Sequence, residues 1–142
     1  MTMPDDARPH CYLAVYADPA LPGRVTVEGG TFGNRNMPRN MEPGDLVLIY
    51  CTASYRQHAK AAPGIAMVTQ VDHGDKSYRY DFLPFAEAVP LEFIRLCMTG
   101  PDAERFANIR YDWLFQITRE SFRAVMQGAR LGKAAPGPRG LL

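Results

Sequence analysis

The chain has 142 residues, of which 46% are hydrophobic and 22% are charged, and its formal net charge is +1 at pH 7. These values are typical of one soluble globular domain and argue against a second domain. The small net charge also excludes a broad surface that would bind phosphate groups regardless of sequence.

No apolar stretch approaches the roughly 20 residues that cross a bilayer, and the N-terminus lacks the basic and apolar regions of a signal peptide. We therefore expect a cytoplasmic protein with no membrane partner. The polar residues 1–10 are expected to be disordered, residues 11–132 to form the domain, and residues 133–142 to be a flexible tail.

The three cysteines, Cys11, Cys51 and Cys97, are odd in number and far apart, which indicates reduced, buried thiols rather than disulfides. The cysteines and histidines show no zinc-ligand spacing, and no nucleotide-binding glycine motif is present. The sequence therefore predicts neither a metal nor a cofactor.

The first elements along the chain are strands. Apolar, β-branched and aromatic runs predict them at 11–16, 46–50, 65–71, 78–82 and 85–89, with Pro84 separating the last two. Pro43, Gly44 and Asp45 form a turn signal that places the start of a strand at Leu46. Residues 91–98 fit a sixth strand or a helical turn equally well.

A helix closes the domain. Thr118 is its predicted N-cap, and Gly132 is its predicted end. Its apolar residues, spaced three or four apart on one helical face, are Phe122, Val125, Met126 and Ala129.

Residues 35–45 read Arg-Asn-Met-Pro-Arg-Asn-Met-Glu-Pro-Gly-Asp and are the most informative segment of the chain. We call them the Arg-Asn segment. Arginine presents a planar fork of donors to phosphate, and an asparagine amide can pair with the edge of a base. Solvation of an ordinary surface loop is the alternative interpretation of the same residues.

Positive charge is concentrated in two stretches of the sequence. Residues 24–60 hold five arginines and lysines against three acidic residues, and residues 118–142 hold five against one. If the two stretches meet in space, they form a modest basic face.

The Arg-Asn segment, the strand 46–50 and Pro63-Gly64-Ile65 together resemble the pattern of EVE domains. Tyr12-Leu-Ala-Val-Tyr-Ala-Asp-Pro19 is similar to the start of those domains, and residues 111–122 are similar to their closing segment. Leu13 and Tyr16 stand where the family usually has tryptophan and lysine.

The resemblance implies an α+β, PUA-like fold: a curved, mostly antiparallel β-barrel of five or six strands with flanking helices, related to YTH and ASCH domains. It further implies a non-enzymatic domain that binds DNA or RNA and holds a modified base, of the methylated cytosine or adenine type, in an aromatic-lined pocket. We expect the protein to be a monomer. The base-binding residues that it implies are Phe32, Gly33, Asn34, Arg35, Asn36, Tyr50, Cys51, Thr52, Tyr12 and Trp113. The predicted phosphate contacts are Arg39, Arg56 and Lys60.

Several alternatives remain open at the level of sequence. An ASCH-like nuclease or amidohydrolase would need a constellation of Lys, Glu or Tyr side chains in the pocket, and only Tyr50 and Glu42 are close to it in sequence. A third possibility is a small-molecule or protein interaction module whose pocket holds a nucleoside-like ligand. Trp113 suits the core as well as a stacking surface. For Phe32, among glycines on a predicted loop, a binding role is favoured, whereas Cys51 is expected to be an inert buried thiol.

Overall fold

The computed structural model describes residues 9–16, 30–33, 37–51, 60–108 and 114–129. In chain order its elements are β1 (Cys11–Tyr16), β2 (Gly30–Gly33), β3 (Leu46–Cys51), β4 (Ala61–Asp72), β5 (Ser77–Pro90), α1 (Leu91–Cys97), α2 (Pro101–Ala107), β6 (Leu114–Ile117) and α3 (Arg119–Gly128). No helix in these ranges is long and apolar enough to cross a membrane.

The described strands form one sheet in the order β2-β5-β4-β3-β1-β6. β1 and β3 are parallel, and the other neighbouring pairs are antiparallel. Register shifts interrupt the β3–β4 and β4–β5 pairings, and such irregularities bend and twist a sheet. The predicted α+β class with a mostly antiparallel sheet is confirmed.

The sheet separates two apolar layers because successive side chains of a strand point to opposite faces. Leu13 and Leu48 belong to a layer that includes residues of all three helices, which we call the helix-side core. Tyr12 and Val47 belong to the other layer, the barrel-side core, which also contains Tyr78 and residues of the Arg-Asn segment. Both faces of β1 and β3 are therefore buried.

Helix α3 begins as predicted. The Thr118 hydroxyl accepts a hydrogen bond from the Ser121 backbone N–H (3.2 Å), and Phe122 and Val125 are buried against the sheet. The helix ends earlier than predicted, however, at Gly128 with Ala129 as its C-cap. Gly128 lies against the Phe93 ring of α1, where a side chain would collide.

The structure corrects two further expectations and decides between two alternatives for residues 91–98. Phe32 lies in the short strand β2 and not in a loop, because residues 30–33 pair with 77–80 of β5. Pro84 does not split β5: it lies opposite Gly64 beside a register shift, where a missing backbone N–H is tolerated. Residues 91–97 form a helix, and α2 was not predicted.

The predicted domain limits fall largely outside the described residues, as do residues 1–8 and 130–142 of the two termini. His10, assigned from sequence to the disordered N-terminus, is 7% exposed, and its backbone N–H donates to the Asp45 carboxylate at 3.0 Å. The described structure therefore includes His10, ahead of β1.

Candidate nucleic-acid interface

An open cleft of about 240 Å³ lies where the Arg-Asn segment meets β6 and the start of α2 and α3. Its walls include Asn40, Asp102, Arg105, Gln116 and Thr118. Two amides, a guanidinium, a carboxylate and a hydroxyl thus converge on one space. We call it the Asn40 cleft.

The turn before β3 fixes one wall of this cleft. Gly44 has φ +94°, and the Asp45 carboxylate, which is fully buried, accepts the backbone N–H of Glu42 at 2.9 Å. The backbone of Gly44 and Asp45 also exchanges hydrogen bonds with Val68 of β4, at 2.7 and 2.9 Å. The predicted Pro-Gly-Asp turn is confirmed, and it anchors the Arg-Asn segment on the sheet.

Asn40 is held by a chain of hydrogen bonds that starts in the barrel-side core. The hydroxyl of Tyr12 donates to Asn40 Oδ1 at 3.2 Å, and Asn40 Nδ2 donates to Gln116 Oε1 at 3.1 Å. Arg105 Nη1 donates to the backbone carbonyl of Gln116 at 3.1 Å. Because Tyr12 itself is 0% exposed, it orients the cleft and does not offer a stacking face.

The opposite wall is a buried carboxylate at the start of α3. Asp102 is 2% exposed, and its Oδ2 accepts hydrogen bonds from the Thr118 backbone N–H (2.9 Å), the Thr118 hydroxyl (2.8 Å) and the Ser121 hydroxyl (2.7 Å). A carboxylate at this position satisfies an orphan donor of α3 and interacts favourably with its dipole. These bonds fix α2 to α3.

Arg119 and Arg123, from the second basic stretch of the sequence, lie near the Cys11 end of β1. Arg39 is exposed beside Asn40 in sequence. Burial raises the pKa of Cys11 to about 12, and the charges of Arg119 and Arg123 oppose this shift while that of Asp45 adds to it. Arg119 and Arg123 of α3 therefore lie within electrostatic range of the β1 end to which the Arg-Asn segment is bonded.

Tyr50 and Cys51 do not line one pocket, because they are adjacent on β3 and point to opposite faces. Tyr50 is in the helix-side core, where its ring meets that of Phe106 edge-on with centroids 5.6 Å apart. Cys51 is in the barrel-side core, and burial raises its pKa to about 12. Its thiol is therefore protonated at neutral pH, as expected for an inert cysteine.

The remaining predicted site residues are distributed as follows. Phe32 and Gly33 belong to β2, the first strand in the sheet order, whereas Gln116 belongs to β6, the last. Lys60 is exposed at the start of β4. Those that lie outside the described residues are Asn34, Arg35, Asn36, Thr52, Arg56 and Trp113. The predicted base-binding and phosphate-binding roles of all these residues stay predictions.

Asp102, Arg105 and Gln116 were missed in the sequence. Asp102 and Arg105 are three residues apart on α2, so they share a helical face, and Gly100-Pro101 before them is a recognisable helix start. Nothing local indicates that this face lies against β6. Among the described residues no group of histidine, cysteine or acidic side chains could hold a metal ion.

A second cleft, of about 250 Å³, lies beside the β4–β5 hairpin and is lined by Gln70, Asp72, Ser77, Tyr78 and Arg79. One hairpin supplies all of these residues. The Asn40 cleft differs because four separate elements build it and because the Arg-Asn segment forms one wall.

Comparison with known proteins defines the class of fold. No protein-family model matches the chain, and no curated protein matches it. Solved structures that are similar to this chain include Rpa0253 of Rhodopseudomonas palustris, with 15% identity and a TM-score of 0.54 over 83% of this chain and 91% of that one. Atu2648 of Agrobacterium tumefaciens has 17% identity and a TM-score of 0.54 over 89% of this chain and 97% of that one. A mutant of the ASCH protein ZmASCH of Zymomonas mobilis has 12% identity and a TM-score of 0.56 over 88% of this chain and 98% of that one.

These likenesses extend over most of each chain and show that the chain has a fold like that of the ASCH protein. They confirm the predicted PUA-like fold. The narrower resemblance to EVE domains goes beyond what they show.

Proposed function

We propose that this protein is a non-enzymatic, nucleic-acid-binding domain of the EVE type that takes a single base into the Asn40 cleft. The observation that carries the proposal is the convergence of Asn40, Arg105 and Gln116 on one open space, held in place from the core by Tyr12.

The chemistry of the walls suits a base. Amides and a guanidinium hydrogen-bond to the edges of bases that are splayed out of a strand. At about 240 Å³ the cleft is smaller than the roughly 300 Å³ at which pockets for drug-sized ligands begin. It therefore suits one base better than a longer stretch of nucleic acid.

Phosphate contacts would come from the rim. Arg105 is exposed in the cleft wall, Arg39 is exposed next to Asn40 in sequence, and Arg119 and Arg123 belong to α3. With a net charge of only +1, we expect a few phosphate contacts and a shallow dependence of affinity on salt. The resemblance to EVE domains makes a methylated cytosine or adenine the expected base.

An enzymatic role is the weaker proposal. Glu42 precedes β3 and Tyr50 lies near its end, in the helix-side core, so the two groups named for catalysis do not meet at the Asn40 cleft. Ser121, the serine hydroxyl beside the Asp102 carboxylate, is 0% exposed and donates to that carboxylate. A nucleophile needs an adjacent base and access to substrate.

The proposal is tested by fluorescence anisotropy with labelled oligonucleotides, single- and double-stranded, DNA and RNA, plain or methylated at cytosine or adenine, each at two salt concentrations. Arg105→Ala is expected to weaken binding at least about tenfold, which is the range for a hydrogen bond from a charged group. Arg79→Ala is the matched control, because Arg79 is an exposed arginine in the other cleft.

Loss of binding in Arg105→Ala with retention in Arg79→Ala, both variants melting like the parent, would support the Asn40 cleft as the site. If no oligonucleotide binds at either salt concentration, the nucleic-acid function is wrong. If Arg79→Ala loses binding instead, the site belongs to the β4–β5 hairpin.

A further inference from the structure

The Asp102 carboxylate has an asymmetric set of partners. The hydrogen bonds from Thr118 N, Thr118 Oγ1 and Ser121 Oγ all go to Oδ2, at 2.7–2.9 Å. Oδ1 accepts no hydrogen bond from any residue in the described ranges. Asp102 is 2% exposed and lines the Asn40 cleft, so a buried carboxylate with one uncommitted oxygen forms part of the cleft wall.

Arg105 stands beside this acceptor on the same face of α2. One of its N–H groups binds the Gln116 carbonyl at 3.1 Å, and a guanidinium carries five N–H donors and no acceptor. The wall therefore presents one fixed acceptor next to several donors. Its complement is a planar group with an N–H donor next to an acceptor.

Cytosine and adenine match this pattern through the amino group and the neighbouring ring nitrogen, and a keto base in that same orientation presents the reverse pattern. Cytosine has an exocyclic amino group beside the acceptor N3, and adenine has one beside N1, whereas uracil and thymine carry a carbonyl oxygen there. A carbonyl oxygen placed against Asp102 Oδ1 would bring two acceptors together without a proton, leaving both desolvated and unpaired.

We infer that Asp102 Oδ1 accepts a hydrogen bond from the exocyclic amino group of cytosine or adenine and rejects, in the same orientation, a base that has a carbonyl in place of that amino group. The inference rests on the proposed function, since it assigns the specificity of the same cleft. A base with one methyl group on its exocyclic nitrogen keeps an N–H for Oδ1, whereas a dimethylated base has none.

Asp102→Asn should reverse this selection while keeping the fold. Thr118 N, Thr118 Oγ1 and Ser121 Oγ donate towards the Oδ2 position, so the asparagine carbonyl oxygen must take that place. The asparagine NH₂ then occupies the Oδ1 position and becomes a donor facing the cleft. A donor there favours the carbonyl of uracil and opposes an amino group.

The experiment compares labelled oligocytidylate with oligouridylate, and oligoadenylate with oligoinosinate, by anisotropy. Each pair exchanges an amino group for a carbonyl. The parent protein is expected to prefer the amino member of at least one pair by about tenfold or more, and Asp102→Asn is expected to remove or invert that preference. Urea melts of both proteins establish that the variant is folded.

A second measurement does not depend on the variant. Oligonucleotides with N4-methylcytosine should bind the parent protein, and those with N4,N4-dimethylcytosine should bind at least about tenfold more weakly, because the last N–H is gone. The same comparison with N6-methyl and N6,N6-dimethyladenine covers a purine ligand.

The outcomes separate the two proposals. Binding that depends on Arg105 but does not distinguish amino from keto bases, or mono- from dimethylated ones, overturns the role of Asp102 and leaves the nucleic-acid function in place. Absence of binding to every oligonucleotide overturns both.

Discussion

Lys60 and Lys76 have left-handed backbone conformations, with φ of +58° and +53°. A non-glycine residue in this region costs about 1–2 kcal/mol of stability. Glycine avoids this strain but loses more backbone entropy on folding, which offsets part of the gain. Lys60→Gly and Lys76→Gly are therefore each expected to raise the free energy of unfolding by about 0.5–1 kcal/mol, as measured by urea denaturation.

The same two variants test the predicted phosphate contact. Lys60→Gly is expected to weaken oligonucleotide binding and to reduce its salt dependence, because a cation is lost. Lys76→Gly serves as its control, since Lys76 lies in the β4–β5 turn. Unchanged affinity in Lys60→Gly would show that Lys60 does not contact the nucleic acid.

Cys11 and Cys51 make stability sensitive to alkaline pH. Burial raises both thiol pKa values from 9.0 to about 12, so between these values the thiols are ionised in the unfolded chain and protonated in the folded one. The unfolded state binds fewer protons in this window, and the free energy of unfolding therefore falls as pH rises above 9.

The expected slope is about 1.4 kcal/mol per pH unit for each thiol. Urea denaturation of the parent and of Cys51→Ala across this pH range measures it, and the difference between the two slopes isolates Cys51 from other titrating groups. Parallel slopes would show that the Cys51 thiol ionises as readily in the folded protein as in the unfolded chain.

Asp45 and Asp102 show which residues could be predicted from the sequence. Both are buried acidic residues, but Asp45 closes a turn with Glu42, three residues away, so local turn chemistry predicts its role. The partners of Asp102 are 16 and 19 residues farther along the chain. Its role depends on how α2 packs beside α3, which no local pattern encodes.

At the level of elements, β4 and β5 pack closely at Gly64. A Cβ atom there would collide with the Leu83 carbonyl oxygen and would lie 2.8 Å from Pro84 Cα and 2.7 Å from the Phe82 ring. Because two of these neighbours are backbone atoms of the paired strand, the strands would have to separate. Gly64→Ala is expected to cost about 1–3 kcal/mol of unfolding free energy, the range for overpacking.

Gly74→Ala is the matched control for this experiment. Gly74 lies in the exposed turn of the same hairpin, where an added Cβ would meet a side-chain oxygen of Asp72 at 3.3 Å. We expect it to change the unfolding free energy by less than about 0.5 kcal/mol, as surface substitutions usually do. Equal effects of the two substitutions would contradict the close approach of β4 and β5 at Gly64.

The elements that were predicted well carry their signal in their own residues. β1 has the predicted bounds, and β3 starts at the predicted residue, because each is a continuous apolar run next to residues that favour a turn. β2 contains two glycines in four residues and is an edge strand that depends on pairing with β5. Its stability comes from that partner, and so its own sequence resembles a loop.

At the scale of the whole molecule, the Asn40 cleft lies outside the most stable part of the sheet. β1 and β3 are buried on both faces and have neighbours on both sides, whereas the cleft is built from a loop, a sheet-edge strand and two helix starts. Binding segments of this kind are drawn from the less stable parts of a fold. A ligand can therefore stabilise the cleft without altering the sheet.

This arrangement predicts a pattern of hydrogen exchange measured by mass spectrometry. Without ligand, the amides of β1 and β3 should exchange slowest, and those of the edge strand β2 should exchange faster, because its outer hydrogen-bonding edge has no described neighbouring strand. The tightest-binding oligonucleotide should then slow exchange in residues 37–45, 101–107 and 114–118, which contribute to the Asn40 cleft, and leave residues 72–77 of the β4–β5 hairpin unchanged. Protection at the hairpin alone would place the ligand in the second cleft. In Arg105→Ala, the oligonucleotide should no longer protect the Asn40 cleft, whereas the amides of β1 and β3 should still exchange slowly.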